Sequence, residues 1–154
     1  MSFGEILLFV HVLAAMIWVG GATMFHVMVE RAAAAEDPVR IKGLMGDAEH
    51  LAKTYFIPAT ITVLVMGIWL VFERDWGFDE PFVLGGIVGI VITTLVGAGV
   101  LGPTSMKIAA RITEVGGLDQ GIKDSIAKLR NISRADLVLL AIIVFLMTTK
   151  PGTY

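Results

Sequence analysis

Residues 6–29 read ILLFVHVLAAMIWVGGATMFHVMV, twenty-four positions without one Asp, Glu, Lys or Arg. A helix needs about 20 apolar residues to cross the hydrocarbon core of a bilayer. Three further stretches are also free of these charges: Thr54–Phe72, Pro81–Met106 and Leu137–Thr149. The last is short alone, but it spans once its helix begins near Ser133, with Arg134 and Lys150 snorkelling to the two surfaces. The chain is 56% hydrophobic and 17% charged, too apolar for a water-soluble domain of 154 residues. These runs predict an all-α bundle of four transmembrane helices in one integral membrane domain, at about 4–34, 51–73, 81–115 and 133–150.

The first run resembles a secretion signal in position, and Ala32–Ala35 supplies small residues beyond it. However, no Lys or Arg precedes it, and it is too long for a signal core, so it reads as a retained helix. The chain has no cysteine, which excludes disulfides, thiolate metal sites and cysteine nucleophiles.

Lys and Arg set the expected orientation. The connection 30–53 holds Arg31, Arg40, Lys42 and Lys53. The connection 107–136 holds Lys107, Arg111, Lys123, Lys128, Arg130 and Arg134. The opposite side has only Arg74 and Lys150. By the positive-inside rule both basic connections face the cytoplasm of a bacterial inner membrane, and both termini face outward. The basic residues suit topology and anionic headgroups rather than nucleic acid.

Neither connection reads as structureless. Asp37-Pro38 offers an N-cap and a proline at the first helical position. Ile41, Leu44, Met45, Ala48 and Leu51 then recur at helical spacing. The third helix is expected to run to about Val115 and stop at Gly116-Gly117, and Asp119 caps a stretch with Ile122, Ile126 and Leu129 on one face. Pro58 is expected to loosen the second crossing, and Pro151-Gly152 to end the fourth. In the third, Gly85, Gly89, Thr93 and Gly97 form a small-residue stripe that serves either close helix packing or a flat macrocycle.

The candidate chemistry lies on the first helix. His11, Ala15, Trp18, Ala22 and His26 share one sector at 100° per residue, with the histidines about 22 Å apart. By depth, Met66 matches His11 and His50 matches His26. This nominates an outer His11/Met66 pair and an inner His26/His50 pair, both axial sets for haem iron. His11, His26 and His50 are the candidate metal ligands. His11, His26, His50, Met66 and Trp18 are the candidate cofactor contacts, and haem b is the expected cofactor, since no C-x-x-C-H is present. Copper is the alternative, with Met24, His26 and Met28 as soft or borderline donors. The plain readings are hydration for His26 and His50, a backbone or hydroxyl partner for His11, and ordinary packing for Met66. Trp18 and Trp69 are expected to pack between helices, Trp76 to sit in an interfacial belt, and Lys150 to anchor the last helix or meet a carboxylate. No phosphate loop, paired-carboxylate site or hydrolase triad is present, and no carboxylate is expected within a crossing.

Several stretches carry a resemblance. HVLAAMIWVGG (11–21) resembles the first-helix signature of bacterial membrane proteins related to copper-resistance protein D. PATITVLVMGIWLV (58–71), VLGPTSMKIAAR (100–111) and FLMTTKPG (145–152) more closely resemble a four-helix integral-membrane family of unknown function in that neighbourhood. More loosely, His11, Trp18 and Gly20 are similar to a pattern in the four-helix membrane protoporphyrinogen oxidase, and that resemblance implies haem binding through a helix-one histidine. The expected function is a b-type haem protein in electron transfer or haem-linked redox chemistry. The alternatives are an accessory subunit of a larger membrane complex or homo-oligomer, and copper or small-solute transport.

Overall fold

The structure, a computed structural model, describes residues 2–151. Helix α1 spans Phe3–Ala34, α2 Pro38–Leu51, α3 Ile57–Glu73, α4 Pro81–Val96, α5 Gly102–Val115 and α6 Gln120–Thr149. Among the described residues there is no strand. Two π-helical turns, Ala52–Phe56 and Gly97–Leu101, join α2 to α3 and α4 to α5 without a break. The result is four antiparallel rods, each long and apolar enough to cross a membrane.

Local chemistry sets the ends. Ser2 and Glu5 form a reciprocal capping box on α1. Asp37 accepts from the Arg40 amide at 3.0 Å, and Asp119 accepts from the Ile122 amide at 2.6 Å. Gly116 closes α5 in the left-handed region, at φ 74°. Lys150, at φ 43°, caps α6. Pro151 follows it, while Gly152, the other half of the expected stop, lies outside the described residues.

Each π turn stands just ahead of a proline, Pro58 or Pro103. Proline has no amide hydrogen and its ring collides with the carbonyl four residues back, here Thr54 or Gly99. Widening that turn relieves the conflict. Ile57 N–H accordingly donates to Ala52 O, and Gly102 N–H to Gly97 O, both five residues back.

The rods exchange neighbours at these turns. At the end carrying most of the Lys and Arg, called here the basic end, α2 packs on α5. There Val29, Ile41, Met45, Ile108, Ile112, Ile122, Ile126 and Leu129 form one buried core. Beyond the turns, α3 packs mainly on α1 and α4 mainly on α6, while α3 and α4 touch little. The bundle is closed at its basic end and split into two helix pairs at the other, the terminal end. A smaller core of Ala14, Trp18, Ala59, Val63, Ile90 and Leu140 bridges the pairs.

The fourth rod begins at Gln120, well ahead of the expected 133. Ile122, Ile126, Leu129, Ser133, Asp136 and Leu140 follow one inward stripe at 100° per residue, so nothing interrupts the helix where hydropathy changes. Thr and Ser hydroxyls elsewhere donate to carbonyls in the preceding turn, as Thr62 does to Pro58, Thr94 to Ile90 and Thr148 to Val144. This satisfies them inside an apolar medium.

Candidate functional site

Between the two helix pairs lies a cavity of about 550 Å³, within the usual range for cofactor and small-molecule sites. The lining is overwhelmingly apolar. Among the described residues, its ionisable side chains are His11 and Lys150, and no carboxylate lines it.

His11 sits on the wall facing α3. Its Nδ1 lies 2.9 Å from the carbonyl oxygen of Val63. A carbonyl only accepts, so Nδ1 carries the hydrogen and donates; in the neutral ring Nε2 keeps the lone pair. Gly67, one turn on from Val63, makes the approach possible. A Cβ there would stand 3.0 Å from His11 Cε1 and 3.3 Å from Nδ1. This contact is the backbone partner a purely structural histidine would take. It is also the bond that orients a ligand histidine and fixes its tautomer. The two readings part at Nε2.

Ala15 and Trp18 continue the His11 wall, so the upper half of the shared sector faces the cavity. Its lower half does not. Ala22 packs against the central core, and His26 turns to α6, where Nδ1 lies 3.0 Å from Ser133 Oγ. His26 Nε2 lies 3.4 Å from Glu30 Oε1. Glu30 also meets Arg134 at 2.8 Å and pairs closely with Arg130. His26 thus belongs to a polar clamp between α1 and α6. His50 is exposed on the last turn of α2. Met24 and Met28 are exposed while His26 faces inward, so the three do not converge. Among the described residues no three His, Asp or Glu side chains cluster to hold a metal ion.

Met66 has the depth of His11 but does not line the cavity. Depth fixes height and not direction: Met66 is turned about 100° from Gly67. Among the described residues, the thioethers on the wall are Met16 and Met147, the latter on α6 and outside the pairs that depth nominates. Asp136 is a second residue absent from the sequence-based candidates. It stands inside α6, half-buried, and its Oδ1 is shielded without a hydrogen-bond partner, contrary to the expectation that no carboxylate lies within a crossing. The small-residue stripe packs helices. Gly85 faces Leu146 and Gly89 faces Ile143, Thr93 is buried, and Gly97 forms part of a π turn. Gly86, beside the stripe, contributes to the cavity wall.

At the terminal end, Trp76 meets Phe82 edge-on at 5.1 Å between centroids. Lys150 Nζ lies 4.4 Å from the Trp76 ring centroid. Trp76 is therefore a half-buried part of the cavity mouth as well as an aromatic at the end of the bundle. Trp18 is buried as expected, whereas Trp69 is 47% exposed and touches Phe3 edge-on.

Residues 5–151 match a family described as predicted integral membrane protein (DUF2269). The chain belongs to that family. With four membrane-spanning rods, it is an integral membrane protein. No curated protein matches the chain, and no solved structure does.

Proposed function

We propose that this membrane protein binds b-type haem in the cavity between its helix pairs, with Nε2 of His11 as the nitrogen that would hold the iron, and serves one-electron or haem-linked redox chemistry. One observation carries the reading: His11 lines a cofactor-sized apolar cavity while its Nδ1–H is held by the Val63 carbonyl. That bond fixes the tautomer, so that the neutral ring presents its lone pair at Nε2, the form a metal takes.

The residues present suit the group. The wall is apolar, Ala15, Gly20, Gly67 and Gly86 keep parts of it low, and Met16 and Met147 are thioethers on the same lining. Haem, when bound, supplies electron-transfer capacity. The chain's own side chains orient the ligand nitrogen, exclude water and set the polarity around it. Trp18, buried beside His11's helical neighbours, contributes shape and not a donor atom.

The test is the absorption spectrum of the protein purified in mild detergent from haem-replete cells. A Soret band and a dithionite-sharpened α band are expected, with about one haem per chain, and His11→Ala is expected to lose most of the haem. A colourless wild-type protein, or full haem content in a folded His11→Ala variant, overturns the proposal. His11→Ala serves only if size-exclusion and circular dichroism profiles match the wild type.

A further inference from the structure

We infer that Asp136 is a proton-exchange site inside the bundle, reached from the basic end through Glu30, His26 and Ser133, and that it brings a proton from that side to about one helical turn below the cavity. The inference does not depend on what the cavity binds. An ionisable side chain within a crossing is costly and is a functional candidate by default.

Three observations support it. First, the buried polar side-chain atoms left without a hydrogen-bond partner gather in one seam. Among the described residues they are Glu30 Oε1, Arg130 Nε and Asp136 Oδ1. Glu30 stands on α1 and the other two on α6, where six residues separate them by about 9 Å along the axis. Buried polar groups of native proteins are nearly always satisfied by protein or ordered water, so three of them in one seam mark a path that water enters. Second, side chains already bridge most of that path. Glu30 Oε1 lies 3.4 Å from His26 Nε2, and His26 Nδ1 lies 3.0 Å from Ser133 Oγ. Ser133 and Asp136 are an i, i+3 pair on the inward stripe, about 5–6 Å apart at Cβ, a gap that one water bridges. The imidazole suits passage because its bond to Ser133 survives in either tautomer: with the hydrogen on Nδ1 the ring donates, and with it on Nε2 the ring accepts. Third, charge reaches Asp136 from one side only. Helix α6 packs on α1, α4, α5 and the π turn Gly97–Leu101. From α1 come His26 and Glu30, and from α6 itself Arg130 and Arg134, all toward the basic end. Helix α4 and the π turn have no ionisable residue, and Lys107, Arg111 and Glu114 of α5 are exposed. Toward the terminal end, Leu140 follows one turn on, buried and part of the cavity lining.

The step moves one proton. Water beside Glu30 delivers it to His26 Nε2, the hydrogen on Nδ1 passes to Ser133 Oγ, and the hydroxyl hydrogen passes through the bridging water to the Asp136 carboxylate. One O–H bond forms on Asp136 and its negative charge is lost. The reverse passage restores the carboxylate and the first tautomer.

The experiment is infrared difference spectroscopy of the full chain in liposomes of neutral lipid, without added cofactor, titrated from about pH 3 to pH 8 to bracket the ordinary carboxylate and histidine values. A protonated-carboxyl C=O component that grows as the pH falls is expected, absent in Asp136→Asn and displaced in Asp136→Glu. After rapid mixing with heavy water, its isotope shift is expected to slow about a hundredfold in Ser133→Ala and in His26→Gln, the low end of what a positioned proton-transfer group contributes.

A spectrum with no component sensitive to residue 136 overturns the inference. So does exchange as fast as wild type in a folded Ser133→Ala or His26→Gln variant. If Asp136→Asn fails to fold, the displacement in Asp136→Glu carries the assignment. A protein that passes this test but purifies colourless loses the haem reading and keeps this one.

Discussion

A hydrogen in place of a methyl group at position 67 allows the His11 ring to lie against α3 and reach the Val63 carbonyl. In most helices Gly→Ala is stabilising by up to about 1 kcal/mol. Here the added carbon would press on Cε1 and Nδ1 of a ring already committed to a hydrogen bond. Gly67→Ala is therefore expected to destabilise the protein by about 1 kcal/mol, the worth of one such bond, read as a lower midpoint of thermal unfolding in detergent. An unchanged or raised midpoint would show that the ring moves aside freely. Residue identity alone made His11, Trp18 and Lys150 legible as candidates, because a base or an indole in an oily run is conspicuous. Their partners were not legible. Val63 is fifty-two positions from His11 and Ser133 is 107 from His26, and neither acceptor has a composition that announces the contact. Met66 was nominated by height along the helix axis, a coordinate that says nothing about azimuth.

At the scale of elements, α4 and α6 test how small residues set helix approach. A Cβ at Gly86 would fall 2.0 Å from Met147 Cε, the mobile end of an unbranched side chain. A Cβ at Gly89 would fall 2.5 Å from both Cδ1 and Cγ1 of Ile143, whose β-branched χ1 is stiff in a helix. Gly89→Ala is accordingly expected to cost about 1–3 kcal/mol and Gly86→Ala less than about 1 kcal/mol. Unfolding of both variants in the same detergent compares them, and an equal or inverted order would reject this account of the contact. Element ends were readable from sequence where caps are local, at Asp37, Gly116 and Asp119. The wide turn near Pro58 is foreshadowed by the proline, while its counterpart before Pro103 is masked by the glycines and long apolar run around it. The early start of α6 was hidden for a different reason: the eye follows hydropathy, and the helix follows its inward stripe.

For the whole molecule, the number of crossings could be read directly, because unbroken apolar length is a property of the chain alone. The cavity could not, since it arises where α3 and α4 part while α2 and α5 stay together. The charge distribution predicts that the basic end is cytoplasmic. The absence of cysteine makes this easy to measure. A single reporter at Asp79→Cys is expected to react with an impermeant maleimide on intact bacterial cells, and one at Val39→Cys only after permeabilisation. Both positions are exposed. The reverse pattern would invert the protein and put the cavity mouth in the cytoplasm.

The pair of wide turns has a last consequence. Each lets the upper and lower parts of one continuous rod choose separate faces to present, so residues past Pro58 answer to α1 while those before it answer to α5. The side chains that seal the basic storey are therefore a different set from those that wall the open one.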